Sequence, residues 1–184
     1  MNTKAMPDIL NAAQFTRRLF PHDPSKTFAI LDGASVEGLL VQFETMAPVY
    51  RCLYRGELEN GIDEVAPYLV ELEQGSEFTN WVLSEGWGNH WGIFMVVKES
   101  VSIDALLRHF RKLNKVKGAD GKIVIFRYYD PRVLRIFLPI CESEQVPSFF
   151  ALVVCFICED EALNQAVCFT VNEDTRLPQK DIIK

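Results

Sequence analysis

The longest uninterrupted apolar run, "FFALVVCFIC" at 149–158, limits what the chain can become. Its ten residues are half of the roughly 20 that a helix needs to cross a bilayer. Within it "VVCFIC" reads as a β-strand. A strand sends alternate side chains to opposite faces, so Cys155 and Cys158 point apart despite their redox-motif spacing. The other cysteines, Cys52, Cys141 and Cys168, add neither a disulfide framework nor a four-ligand zinc pattern, and all five are expected as inert thiols. A chain of 184 residues, 48% of them hydrophobic, can bury about 70% of its unfolded surface in one domain. We therefore read 1–184 as one domain whose segment 173–184 is a polar tail lying on the surface or fraying.

Further apolar segments alternate with helical patterns. "DILNAAQFTRRLF" is predicted as a helix ended by Pro21 and Pro24. "TFAILDGAS" is a strand, with Ser35 placed to cap a helix over "VEGLLVQFETM". "PVYRCLYRG" and "APYLVELE" read as strands about an acidic turn holding Asn60-Gly61. "EFTNWVLSEGW" suits a helix broken near Gly86 and Gly88, followed by the strand "WGIFMVVKE". Ile103, Leu106, Leu107, Phe110 and Leu113 share one helical face, with Ser102 as N-cap. "KIVIFRYY" is apolar on both faces and predicts a central strand. A short helix from Pro131 precedes two strands, "FFALVVCFI" and "QAVCFTV". The pattern predicts an α/β domain, with α+β as the alternative, built on a mixed sheet flanked by helices.

The net charge of −6 argues against nucleic acid or an anionic membrane as the main partner. The start of the chain does not read as a secretion signal, which makes a soluble cytoplasmic protein the expectation. HExxH, GxSxG, P-loop and dinucleotide motifs are missing, and His22, His90 and His109 stand without an evident orienting partner, so catalysis is not expected of them. His109 lies beside Arg108 and near Arg111, as on a solvated face. The basic stretch around Arg108, Arg111, Lys112, Lys115 and Lys117 suits a helix C-terminus, or an acidic partner segment.

Asp32 and Asp130 each end an apolar strand, where ligands gather in open α/β sheets. Two carboxylates there could hold magnesium for a hydrolase; the favoured reading is that Asp32 shapes a turn and Asp130 caps a helix begun by Pro131, whose φ is already set. Arg127 falls on the face of Ile123 and Ile125 and needs an acidic partner, Asp32 or Asp130. Arg132 sits in a first helical turn, where the macrodipole disfavours a cation, and Arg135 shares its face. Either an internal ion pair or another protein could answer them. "WVLSEGWGNHWG" carries Trp81, Trp87 and Trp91 among glycines, as core filling or as an anchor for a partner.

"FAILDGA", "LYRG", "APYLVELE", "WGNHWGIFM", "LLRHFRKLNKV" and "FRYYDPRVLRIFLP" followed by "EQVPSFF" resemble the type VI secretion adaptor family, effector chaperones long catalogued as a domain of unknown function. The resemblance covers 27–150 in order. It implies a non-catalytic adaptor, needing neither cofactor nor metal, that holds the N-terminal region of a toxic effector and loads it at the C-terminal end of the VgrG spike. The motif positions carried over are Asp32, Gly33, Tyr54, Gly56, Pro67, Tyr68, Trp91, Gly92, Arg127, Tyr129, Asp130, Pro131 and Arg132. Trp87, Trp91, Tyr129, Arg132 and Arg135 are the candidate partner contacts. After "SFF" the family commonly turns at a glycine, whereas here "ALVV" runs on.

Overall fold

Strand alternation sorts the apolar side chains into two cores, one on each face of a single sheet. The computed structural model describes residues 12–117, 121–162 and 164–183. In chain order these residues form α1 (Ala12–Leu19), β1 (Ser25–Asp32), α2 (Leu39–Met46), β2 (Tyr50–Cys52), α3 (Ile62–Val65), β3 (Pro67–Leu72), α4 (Glu77–Glu85) and β4 (Gly92–Lys98). Then come α5 (Ile103–Leu113), β5 (Lys115–Lys117), β6 (Ile123–Ile125), α6 (Pro131–Phe137), α7 (Val146–Phe150), β7 (Val153–Glu159), β8 (Ala166–Val171) and β9 (Pro178–Ile183).

Seven strands make the main sheet in the order β2-β3-β1-β4-β7-β8-β9. Ala29 and Leu31 of β1, with Cys155 and Ile157 of β7, face a core closed by Phe15 and Leu19 of α1, Leu39 and Phe43 of α2, and Phe78 and Val82 of α4. Phe28 and Ile30, with Phe156 and Cys158, face the other core, closed by Leu106 and Phe110 of α5, Leu134 of α6, and Val146 and Phe149 of α7. Burying both sheet faces under helices gives three layers. Cys155 and Cys158 do point apart, one into each core.

Helices and strands share one domain as expected, but the sheet is not mixed. Every neighbouring pair in it is antiparallel. An alternation of helix and strand fixes neither strand direction nor order; here the helices serve as long antiparallel connections, not as parallel crossovers. The α+β alternative is the better description.

Several boundaries also move. The stretch "KIVIFRYY" is not a central strand: only Ile123–Ile125 is extended, paired with β5 in a separate two-stranded hairpin. The helix over "VEGLLVQFETM" begins at Leu39, after Gly38 in the left-handed region, and Ser35 lies in a preceding 3-10 turn. "FFALVV" divides: Val146–Phe150 is helical, with Pro147 in its first turn, and the strand starts at Val153. The polar tail is ordered over Pro178–Ile183 as the edge strand β9, held by its ladder to β8 and by burial of Ile183. The predicted first helix is seen from Ala12; its earlier part lies outside the described residues. Ser102 and Asp130 are N-caps, accepting from Ala105 N at 3.2 Å and Arg132 N at 2.9 Å.

Candidate functional site

The antiparallel registers bring the end of β1, the starts of β3 and β4, and the end of β7 to one end of the sheet: Asp32 opposes Pro67, Leu31 opposes Gly92, and Glu159 opposes Ala166. The motif positions gather there. Gly33 and Gly92 are set by close backbone approach. A Cβ on Gly92 would lie 2.0 Å from the Ile30 carbonyl oxygen, and one on Gly33 would lie 2.5 Å from that of Glu64. Gly33 N–H donates to Ala66 O at 3.0 Å, and Asp32 N–H to Trp91 O at 2.8 Å, tying three connections together. Gly56 takes φ +81° after Tyr54, and the Tyr68 hydroxyl donates to Asp63 O at 2.8 Å.

The charges at this end are answered within the fold. Asp32, buried, accepts from Ala34 N at 3.3 Å and Ser35 Oγ at 3.2 Å, and pairs with Arg127. Burial of Arg127 acts to lower its pKa, but the hydrogen bond and charge of Asp32 outweigh this and raise it. Arg127 itself lies after β6, not within a strand. Asp130 accepts from Arg132 three times, at N (2.9 Å), Nε (3.0 Å) and Nη2 (2.6 Å). Burial acts to raise the Asp130 pKa, yet Arg132 holds it below its ordinary value. The N-cap carboxylate thus offsets the cost of a cation in the first turn of α6. Arg135 donates from Nη1 to Glu159 O at 2.6 Å.

Glu159 is the residue that sequence reasoning missed. Buried at the end of β7, its carboxylate accepts from Gly88 N at 2.6 Å and contacts His90 Nδ1, fastening the "WGNHWG" turn to the sheet. Its one sequence signal is an acidic residue closing an apolar strand, the position that drew attention to Asp32 and Asp130. His90 has an orienting partner after all, at φ +57°. His109 is half-buried, with Nε2 3.3 Å from Phe149 O, and burial lowers its pKa, so it is not on a solvated face.

Two candidate partner contacts belong to the core instead. Trp87 is 8% exposed and packs edge-on to Phe15 at 5.0 Å. Tyr129 is 2% exposed; burial, with a hydrogen bond to Tyr54, raises its pKa. Trp91 is half-buried against Trp81 at 4.7 Å. Arg132 and Arg135 are committed as described. Among the described residues no group of three or more His, Cys, Asp or Glu side chains is arranged to hold a metal ion.

Apolar surface is exposed elsewhere, on the hairpin. Ile123 is 73%, Ile125 58% and Val124 46% exposed. A hairpin of two three-residue strands is marginal on its own, and Ile123 and Ile125 lie on one of its faces with Val124 on the other. On one side a groove of about 570 Å³ is lined by Leu53, Tyr54, Arg55 and Leu58, the end of α5, and Ile125; on the other a groove of about 580 Å³ lies against Phe126, Phe137 and Phe149. Among the described residues no helix is long and apolar enough to cross a membrane.

No curated protein and no solved structure matches the chain. A family model described as "Domain of unknown function (DUF4123)" matches residues 27–148, from β1 into α7, and so takes in both the charged junction and the hairpin. With about two thirds of its length inside that match, the chain belongs to the DUF4123 family.

Proposed function

We propose that this protein is a non-catalytic cytoplasmic adaptor that binds the N-terminal region of a type VI secretion effector and helps load it onto the C-terminal region of the VgrG spike. The observation that carries the reading is the hairpin: three consecutive apolar residues, Ile123–Ile125, exposed on a two-stranded unit outside the main sheet. Such a surface suits a holder of another chain, because burying it against a partner releases the water it orders. The sequence resemblance over 27–150 supplies the identity of the partners. The alternative, a magnesium-dependent hydrolase using Asp32 and Asp130, has less support, because each carboxylate already accepts from an arginine and from a backbone N–H.

The test is reconstitution from purified parts. The effector encoded beside this chain and the matching VgrG are each mixed with it and resolved by size-exclusion chromatography. Co-elution with both, and loss of effector co-elution in the Ile123→Lys/Ile125→Lys variant, is the expected result. Failure of the wild-type chain to bind either protein overturns the reading.

A further inference from the structure

We infer that the groove between the 53–58 segment, the C-terminal end of α5 and the hairpin receives an acidic peptide segment of a partner protein, its carboxylates set against Arg55, Lys112 and Lys115. This deepens the adaptor reading and rests on the chain holding another protein.

Asn114 closes the floor of the groove: it is 6% exposed, its Nδ2 donates to Leu53 O at 3.4 Å and its carbonyl accepts from Phe126 N at 3.0 Å, which ties the start of the 53–58 segment and the residue after β6 to the end of α5.

What singles the groove out is charge. In a chain of net charge −6, this groove is lined by Arg55, Arg111, Lys112 and Lys115 and by no acidic side chain. Arg111 is spent on structure, donating to Cys52 O at 2.9 Å, Leu53 O at 3.3 Å and Tyr54 O at 2.8 Å. Its charge remains in the wall while Arg55, Lys112 and Lys115 supply donors. Leu58 and Ile125 give the groove apolar surface between the cations. A simple carboxylate anion would satisfy the cations but leave the apolar surface uncovered. A peptide offers acidic and apolar side chains together.

The probe is a fluorescein-labelled octapeptide of alternating Glu and Leu, titrated by anisotropy into the full chain at low salt; an octapeptide of alternating Lys and Leu is the control. Binding of the acidic peptide alone, weakened at least tenfold by Lys112→Glu/Lys115→Glu and shifting the Asn114 side-chain amide resonances in the 15N-labelled chain, is expected. Both lysines are exposed, so the reversal leaves the fold intact, which an unchanged urea midpoint checks. Equal binding of the two peptides, or binding indifferent to the reversal, overturns the inference. A wild-type dimer that the reversal makes monomeric also overturns it, since the occupant is then a second copy. Effector co-elution that survives the reversal sinks the groove while leaving the adaptor standing. Peptide binding without capture of effector or VgrG sinks the adaptor reading instead.

Discussion

The pairing of Arg127 with Asp32 decides whether the arginines of "FRYYDPRVL" serve the fold, and a double-mutant cycle measures it. The two partners differ in environment: the Asp32 side chain is 3% exposed and that of Arg127 45%. In Asp32→Asn the amide keeps an acceptor for Ala34 N but turns an NH₂ toward donors that faced a carboxylate oxygen, the Ser35 hydroxyl and the Arg127 guanidinium. Hydrogen bonds to charged groups contribute about 1.5–3 kcal/mol each, so a loss of about 2–4 kcal/mol is expected. Arg127→Met keeps the aliphatic stem and opens a water path to Asp32, whose other two donors remain. Discounted for the exposure of the guanidinium, its cost is about 1–2 kcal/mol. The double variant should then lose about 1–2 kcal/mol less than the sum of the singles. Urea denaturation of all four proteins, with matching m values, gives the four free energies. A coupling below about 0.3 kcal/mol, within ordinary additivity, refutes the claim that this pair closes the junction.

Three other perturbations test the same frame. Glu159→Ala leaves the Gly88 N–H without its buried acceptor and His90 without its contact and should cost about 1–3 kcal/mol, read as a lowered urea midpoint with fluorescence changes from the tryptophans of the adjoining turn. Gly92→Ala drives a Cβ into the Ile30 carbonyl across the β1–β4 ladder; since ordinary overpacking costs about 1–3 kcal/mol, a backbone clash should cost at least the upper figure or abolish soluble expression, and a near-neutral melt would contradict the register. Stability should fall with acid in two windows. Burial holds the His109 pKa below its usual value near 6.5, so the unfolded chain takes up that proton first and stability declines once the pH drops below about 6.5; His109→Gln should flatten this part of the urea-midpoint profile. Asp130, held low by Arg132 against the opposing effect of burial, is stabilising above about pH 3.9 and loses that contribution as pH falls through its folded value.

Much of this frame was readable from residues because the relevant physics is local. Asp130-Pro131 as N-cap and first helical residue, and Ser102 as the cap of α5, follow from backbone groups within three residues. The opposite facing of Cys155 and Cys158 follows from the strand period alone. What was not legible depends on residues far apart in sequence. Strand direction is set by which strands pair, and β1 chooses β3 and β4 as neighbours through registers that no single segment encodes. The role of Glu159 requires Gly88 and His90, about seventy positions earlier, to be brought to the end of β7. Trp87 sits among glycines and so resembles an exposed anchor, yet α1 covers it through Phe15.

The misreading of Ile123–Ile125 bears on function. Three β-branched residues in a row satisfy the requirement for a strand buried on both faces, and also that for a strand covered only when a partner arrives. Local pattern cannot separate the two, because both demand the same transfer of apolar surface out of water. The difference lies in the rest of the sheet: β1 has its two sides taken by β3 and β4, and β4 its second side by β7, so no central place remains for β6. Displaced from the core, β6 keeps a core composition on the surface, paired with β5 in a separate hairpin. Isolated exposed apolar residues need no explanation, but three consecutive ones on a unit too small to be stable alone do. Replacing Ile123 and Ile125 by lysine should therefore leave the unfolding free energy from urea denaturation within about 0.5 kcal/mol of wild type, as at other exposed positions, while removing partner binding. A large stability loss would place the hairpin with the core, and the argument for an interaction surface would fail with it.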